Sequence, residues 1–234
     1  MDILSFEEKN IKSDFTGEDM TLAVIKINDT PLSDILEPFE RRAAENCDGK
    51  YNGWGYEYQY ADALFEQLVT KASQASEREA ALMVCGSCYE EGCWPLLVTI
   101  DESDTEVIWH GLHNPHMSNP ASGAFWDYSN FPTFHFSKEP YEQSLINLFK
   151  RIGGTFRYST YHRKQLEKDN ICGCFSCLEI FSQSEIKEWC FERESGNERV
   201  TAICPYCDVD AIIGESTGLP ITLEFLKLLN KYCF

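Results

Sequence analysis

Cys174-Phe-Ser-Cys177 and Cys204-Pro-Tyr-Cys207 form two C-x₂-C segments separated by 26 residues. At this spacing two knuckles deliver four thiolates to one tetrahedral zinc ion. Four thiolates fill the tetrahedron, so such a site holds a shape and leaves no position for water or substrate. Cys172 stands two residues before Cys174 and is an alternative ligand; Cys174 is the one that completes the x₂ spacing. A second group, Cys85-Gly-Ser-Cys88-Tyr-Glu-Glu-Gly-Cys93-Trp94, packs three thiols into nine residues. If the following segments pair as a hairpin, they return His110, His113 and His116 to that neighbourhood. Cys85, Cys88, Cys93 and His116 are therefore a second candidate zinc set. The same thiols could form a reversible disulfide or simply pack as small apolar groups, and spacing alone leaves the three readings open. Asp127 with His116 or His135 could do acid–base chemistry, but no third group or nucleophile motif accompanies them. The chain carries no Gly-rich phosphate loop, no G-x-S-x-G and no H-E-x-x-H.

These residues sit in a chain of 234 residues, 43% hydrophobic and 25% charged, long enough for one domain of ordinary size and a small appendage. The opening Met1-Asp-Ile-Leu-Ser-Phe-Glu-Glu lacks the basic and then apolar pattern of an export signal. No apolar run approaches the ~18 residues that span a bilayer. Eleven cysteines in such a chain read as metal ligands in a reducing compartment, and a cytoplasmic location is expected. The net charge of −18 disfavours nucleic acid and anionic membranes as partners and favours a basic protein. The acidic flanks Glu179, Glu185, Asp208 and Asp210 point the same way for the zinc knuckles.

Several elements must position the thiols. Alternation predicts a strand over Met20–Ile27, and helical spacing of Leu32, Ile35, Leu36 and Phe39 predicts a helix that Pro38 caps or kinks. A second helix is expected over 61–72. Trp94–Ile100 and Glu106–His110, joined by an acidic turn, read as a hairpin. The stretch from His113 to Pro132 reads as a long loop, and a helix over Glu139–Arg151 ends at Gly153-Gly154. Residues 156–169 are polar and suit a linker. Beyond it, Ser182-Gln-Ser-Glu185 has capping-box spacing for a short helix reaching Trp189, and Arg199–Ile203 reads as a strand. A last amphipathic helix runs over Thr222–Tyr232. The aromatic run Tyr51, Trp54, Tyr56, Tyr58, Tyr60 reads as half-buried packing.

Two stretches carry a resemblance. Cys85-Gly-Ser-Cys88, Gly92-Cys-Trp-Pro-Leu-Leu97, Val107-Ile-Trp109, Asn114-Pro-His116 and Phe125-Trp-Asp-Tyr128 resemble a widespread family of bacterial cytoplasmic proteins. Cys174-Phe-Ser-Cys177, Ser184-Glu-Ile, Trp189, Ala202-Ile-Cys-Pro-Tyr-Cys207, Ile212-Ile-Gly214 and Pro220-Ile-Thr resemble small bacterial zinc-knuckle proteins, which are similar to proteins of toxin–immunity loci. Asp208 replaces the Gly that commonly follows the second knuckle. The resemblance implies an immunity-type protein without an enzymatic activity.

Together these readings give an α+β protein: a mixed domain over 1–155 with a β-hairpin sheet and helices, a linker over 156–169, and a zinc-ribbon or treble-clef-like module over 170–234. The expected function is protein binding, with a basic toxin or nuclease as partner and zinc at Cys174, Cys177, Cys204 and Cys207. The alternative is a metal- or thiol-dependent enzyme or redox factor using Cys85, Cys88 and Cys93.

Overall fold

A computed structural model describes residues 1–12, 17, 19–46, 56–69, 77–90, 92–119, 124–194 and 197–234. The protein is α+β, and the chain divides into two compact units. The first joins Met1–Leu68 with Gln74–Leu145; the second joins Val69–Ser73 with Ile146–Phe234.

In the first unit, β1 (Leu4–Lys12) pairs antiparallel with β2 (Asp19–Ile27), which also pairs with β3 (Thr30–Pro31). The alternation seen in the sequence of β2 buries Leu22, Ala23, Ile25 and Ile27. Helix α1 (Leu32–Asn46) continues through Pro38 instead of stopping there, with Leu32 and Leu36 buried and Pro38 on the exposed side. A five-stranded antiparallel sheet follows. Its order is β10 (Phe134–Ser137), β7 (Glu106–His113), β6 (Leu96–Glu102), β5 (Glu77–Cys85), β4 (Tyr56–Tyr58). The hairpin expected from the sequence is β6–β7, with Thr99 opposite His110 and Ile100 opposite Trp109. Helix α2 (Ala61–Val69) buries Leu64, Phe65 and Leu68, the stripe its periodicity requires. Gln59 is buried and bonded: its side-chain amide donates to the Ala81 carbonyl, and its backbone carbonyl accepts from the Ala23 N–H.

The stretch after His113 is not a plain loop. A 3₁₀ turn over Pro115–Met117 leads into β8 (Ser118–Asn119), which pairs with β9 (Ala124–Phe125), and the Trp126 N–H returns to the Met117 carbonyl. Tyr51 and Trp54 of the aromatic run lie outside the described residues. Tyr56 and Tyr58 lie in β4, with Tyr58 buried.

Helix α3 (Lys138–Arg151) runs from the first unit into the second. The second unit then corrects an expectation. Residues 156–169 are not a linker but lie largely in two short helices, α4 (Gly154–Ser159) and α5 (Arg163–Leu166), with Tyr158 and Leu166 buried. Arg157, Arg163 and Lys164 face outward, and their polarity hides two buried apolar residues in turns too short to show a helical period. Strands β11 (Ile171–Cys174), β12 (Ile180–Ser182) and β15 (Ile212–Gly214) form a sheet in the order β12-β11-β15. Strands β13 (Trp189–Glu194) and β14 (Asn197–Ala202) form a hairpin. The capping box at Ser182 and Glu185 is present, but the helix it starts is one 3₁₀ turn, Gln183–Glu185, because the chain must be extended again by Trp189 to enter β13. Helix α6 (Leu223–Cys233) closes the unit, capped by the Thr222 hydroxyl. Gly173 and Gly214 allow close packing: a Cβ on Gly173 would lie 2.9 Å from Leu226 Cδ1, and one on Gly214 would collide with the Asp169 carboxylate.

His162, at the start of α5, is 5% exposed, and burial pushes its imidazole down to about 4. An unfolded histidine titrates near 6.5. Between those values the unfolded chain binds a proton that the folded chain refuses, so stability falls as pH drops from ~6.5 to ~4, by about 3 kcal/mol in total. Denaturant titrations across this range should show that slope in the native chain. The total drop across the range should be smaller by that amount in His162→Phe, and equal drops would contradict the buried neutral imidazole.

Candidate metal centres

The C-terminal thiols gather at one end of the sheet β12-β11-β15. Cys174 closes β11, Cys177 lies in the turn before β12, and Cys204 and Cys207 occupy the turn between β14 and β15. The sulfurs of Cys174, Cys177, Cys204 and Cys207 all lie within 4.8 Å of one another. Cys174 Sγ is 3.7 Å from Cys207 Sγ, and Cys177 Sγ is 3.7 Å from Cys204 Sγ. A disulfide would require about 2.05 Å. A tetrahedron of sulfurs around an ion with bonds of about 2.3 Å has edges of about 3.8 Å, so the spacing is that of a metal cage. Cys172 lies outside the group: it is fully buried in β11 opposite Phe181 and Gly214, and burial, with Asp169 and Glu215 nearby, raises its thiol to about 12.

Backbone geometry prepares these sulfurs. The Ser176 and Cys177 amides donate to Cys174, and the Tyr206 and Cys207 amides donate to Cys204. Without an ion, burial pushes the Cys174 thiol up, and it pushes Cys204 to about 11. A cation is what makes four thiolates tolerable here, and its uptake releases protons.

Two braces cross the module, and apart from the Glu185 capping box their bonds had no signature in the sequence. Asn230 of α6 donates both to the Phe175 carbonyl at 3.0 Å and to the Ser176 carbonyl at 3.1 Å, holding the first knuckle. Glu185 accepts from the Tyr206 hydroxyl at 2.6 Å and from the Ser182 N–H at 2.9 Å, tying the second knuckle to the capped turn. Both are side chains that fix the groups carrying the ligands.

Cys85, Cys88 and Cys93 also come together, with their sulfurs within 4.8 Å of one another. Cys85 ends β5 and is buried, Cys88 is exposed in the turn, and Cys93 is half-buried ahead of β6. No match to this chain is found among protein-family models, curated proteins or solved structures. The centres are therefore read from their own geometry.

The histidines do not join the second cluster. His116 stacks on Trp94, ring centroids 5.8 Å apart and nearly parallel, and is not among the grouped ligands. His110 contacts Asp101 at 3.0 Å across the hairpin, and His113 lies 3.6 Å from Glu79. The hairpin register sets His110 opposite Thr99 and His113 opposite Leu97 near the start of β6, and neither ring joins the three thiols. The acid–base pairing considered for Asp127 is also absent among the described residues. Asp127 accepts from the Ser129 N–H, and His135 contacts Glu106 at 2.9 Å. No helix among the described residues is long and apolar enough to cross a membrane.

Proposed function

We propose that this chain is a protein-binding protein of the immunity type, built around a zinc ion held by Cys174, Cys177, Cys204 and Cys207 in a zinc-ribbon or treble-clef-like module. The observation that carries the reading is the sulfur cage with its 3.7 Å edges. It suits zinc in size and in ligand softness, and four protein thiolates leave the ion no vacancy for a reaction. The role left to the module is to hold a surface.

The net charge of −18 supports a basic partner, a toxin or nuclease, drawn in by long-range attraction. The resemblance to bacterial proteins of toxin–immunity loci supports the same partner class, and a cytoplasmic setting suits reduced thiols. Affinity capture from a cytoplasmic extract at low salt, with the zinc-loaded chain as bait, tests the reading. A basic protein is expected on the bait and should leave it as salt rises. Recovery of no protein partner, or of nucleic acid alone, would overturn it.

A further inference from the structure

The turn Cys85-Gly86-Ser87-Cys88-Tyr89 has the same backbone as the two C-terminal knuckles. In each, the N–H of the residue after the second cysteine donates to the carbonyl of the first. Tyr89 donates to Cys85 at 2.9 Å, Leu178 to Cys174 at 2.8 Å and Asp208 to Cys204 at 3.0 Å. That same residue is left-handed in all three, with φ of 59° at Tyr89, 69° at Leu178 and 60° at Asp208. None is glycine, so each turn holds a conformation that costs an ordinary residue about 1 kcal/mol or more. In each, too, the amides of the third and fourth residues point at the first sulfur: Ser87 and Cys88 at Cys85, as Ser176 and Cys177 do at Cys174 and Tyr206 and Cys207 at Cys204. Amides converging on a sulfur stabilise a thiolate and a metal bound to it. A turn whose cysteines merely fill space needs neither the strained residue nor the aimed amides.

The difference lies in what completes the set. At the C-terminal centre a second knuckle supplies two more sulfurs. Here Cys93 supplies one, and among the described residues no further His, Cys, Asp or Glu atom joins the group. Three protein ligands with one position left over is the arrangement in which a metal exchanges an outside donor.

We propose that Cys85, Cys88 and Cys93 form a second metal centre, for a thiophilic divalent cation of the zinc class, whose fourth position takes an exchangeable donor such as water or a small thiol. Three thiolates and a divalent ion carry a net charge of −1, so a neutral donor adds no further charge. The ion closes the connection from β5 to β6, where Cys85 lies opposite Tyr56 of β4, so the site sits at the end of paired strands rather than on a free loop. The inference does not depend on the binding function proposed above or on the C-terminal ion.

Cobalt(II) titration of the full chain under reducing conditions tests it. Two ions per chain are expected, and the Cys88→Ser/Cys93→Ser double variant should keep one. Excess imidazole or mercaptoethanol should shift the cobalt bands of the native chain and leave those of the variant in place. One ion in both proteins would overturn the centre; native bands that ignore added donors would overturn the open position. Alkylation of the native chain, mapped by mass spectrometry, supplies the check that needs no variant. Metal should slow labelling of Cys88 and Cys93 by tenfold or more while sparing neither Cys190 nor Cys233, both exposed. Equal labelling of Cys88 with and without metal would overturn the proposal, as would recovery of a disulfide within the cluster from the metal-treated chain. The peptides bearing Cys174, Cys177, Cys204 and Cys207 report separately on the C-terminal centre.

Discussion

Chelation of the ion proposed at Cys174, Cys177, Cys204 and Cys207 is expected to unfold the small sheets around it. A structural zinc of this type contributes on the order of 10 kcal/mol of apparent folding free energy, comparable to the whole stability of an ordinary domain, about 5–15 kcal/mol. What surrounds the site could not replace it. The sheet β12-β11-β15 has strands of three or four residues, and its neighbour is a lone hairpin. The buried side chains attached to it, Phe175, Phe181, Ile212, Ile213, Leu226 and Leu229, form a modest core. Hydrogen exchange with and without chelator measures the effect. Amides of β11, β14 and β15 should lose protection when the ion is removed, and Cys204→Ser should reproduce the loss without chelator. Amides of β6 and β7 in the first unit report whether the loss is local. Full protection of β11 and β15 in a chain verified as metal-free would contradict a structural role for the ion. Because burial raises the Cys174 and Cys204 thiols when no ion is present, binding releases protons, so acid should weaken the centre and base strengthen it.

Trp109→Ala should cost the first unit about 3–5 kcal/mol. Trp109 has no exposed surface, and in β7 it lies between Ile100 of β6 and Phe134 of β10. Its ring meets Phe136 edge-on at 5.2 Å and Tyr141 of α3 edge-on at 6.0 Å, so one side chain ties sheet to helix. Truncation removes the largest fully buried ring in this unit and leaves a cavity that backbone strands on both sides cannot close. The indole N–H finds no acceptor among the described residues, which is a cost already present in the native fold. Trp109→Phe sheds that donor while keeping an aromatic ring, and should cost clearly less than alanine. Denaturant unfolding midpoints measure the series. Phe191→Ala, at a position 57% exposed in β13, is the control and should stay within about 0.5 kcal/mol of the native chain. A Trp109→Ala loss below about 1 kcal/mol would mean that Trp109 does not anchor this core.

What the sequence made legible follows from how local each signal is. The two C-x₂-C pairs specify their cage because each knuckle is a five-residue turn, and only the joining of the two is long-range. The β6–β7 hairpin and helices α3 and α6 also show plainly, each with a clear period and a clear stop. Strand β5 did not. Its sequence, Glu-Arg-Glu-Ala-Ala-Leu-Met-Val-Cys, is rich in helix formers, yet it runs between β4 and β6 with every residue from Ala80 to Cys85 buried. Burial on both faces erases alternation, and tertiary pairing overrides propensity. The Asn230 brace and the Glu185–Tyr206 bond were invisible for another reason: a side chain bonding a backbone 54 or 55 positions away, or a tyrosine 21 away, leaves no spacing to recognise. The second thiol group was visible as a cluster, but its partner was misread. The hairpin was expected to return His116 to complete it, and His116 stacks on Trp94 instead.

The β13–β14 hairpin has a kinetic consequence for metal uptake. Cys177 and Cys204 are 27 positions apart, a loop whose ends would otherwise have to find each other by diffusion. Pairing Trp189 with Ala202 folds the far half of that loop back on itself. The closure penalty saved is small, about 0.6 kcal/mol for each halving of the free length. The order of events matters more. Hairpins form in about 1–10 μs, so even a hairpin that opens again without the ion can form transiently before one arrives. While it is formed, the free stretch between the knuckles shrinks to the residues between Cys177 and Trp189, and that shorter stretch is what capture must search.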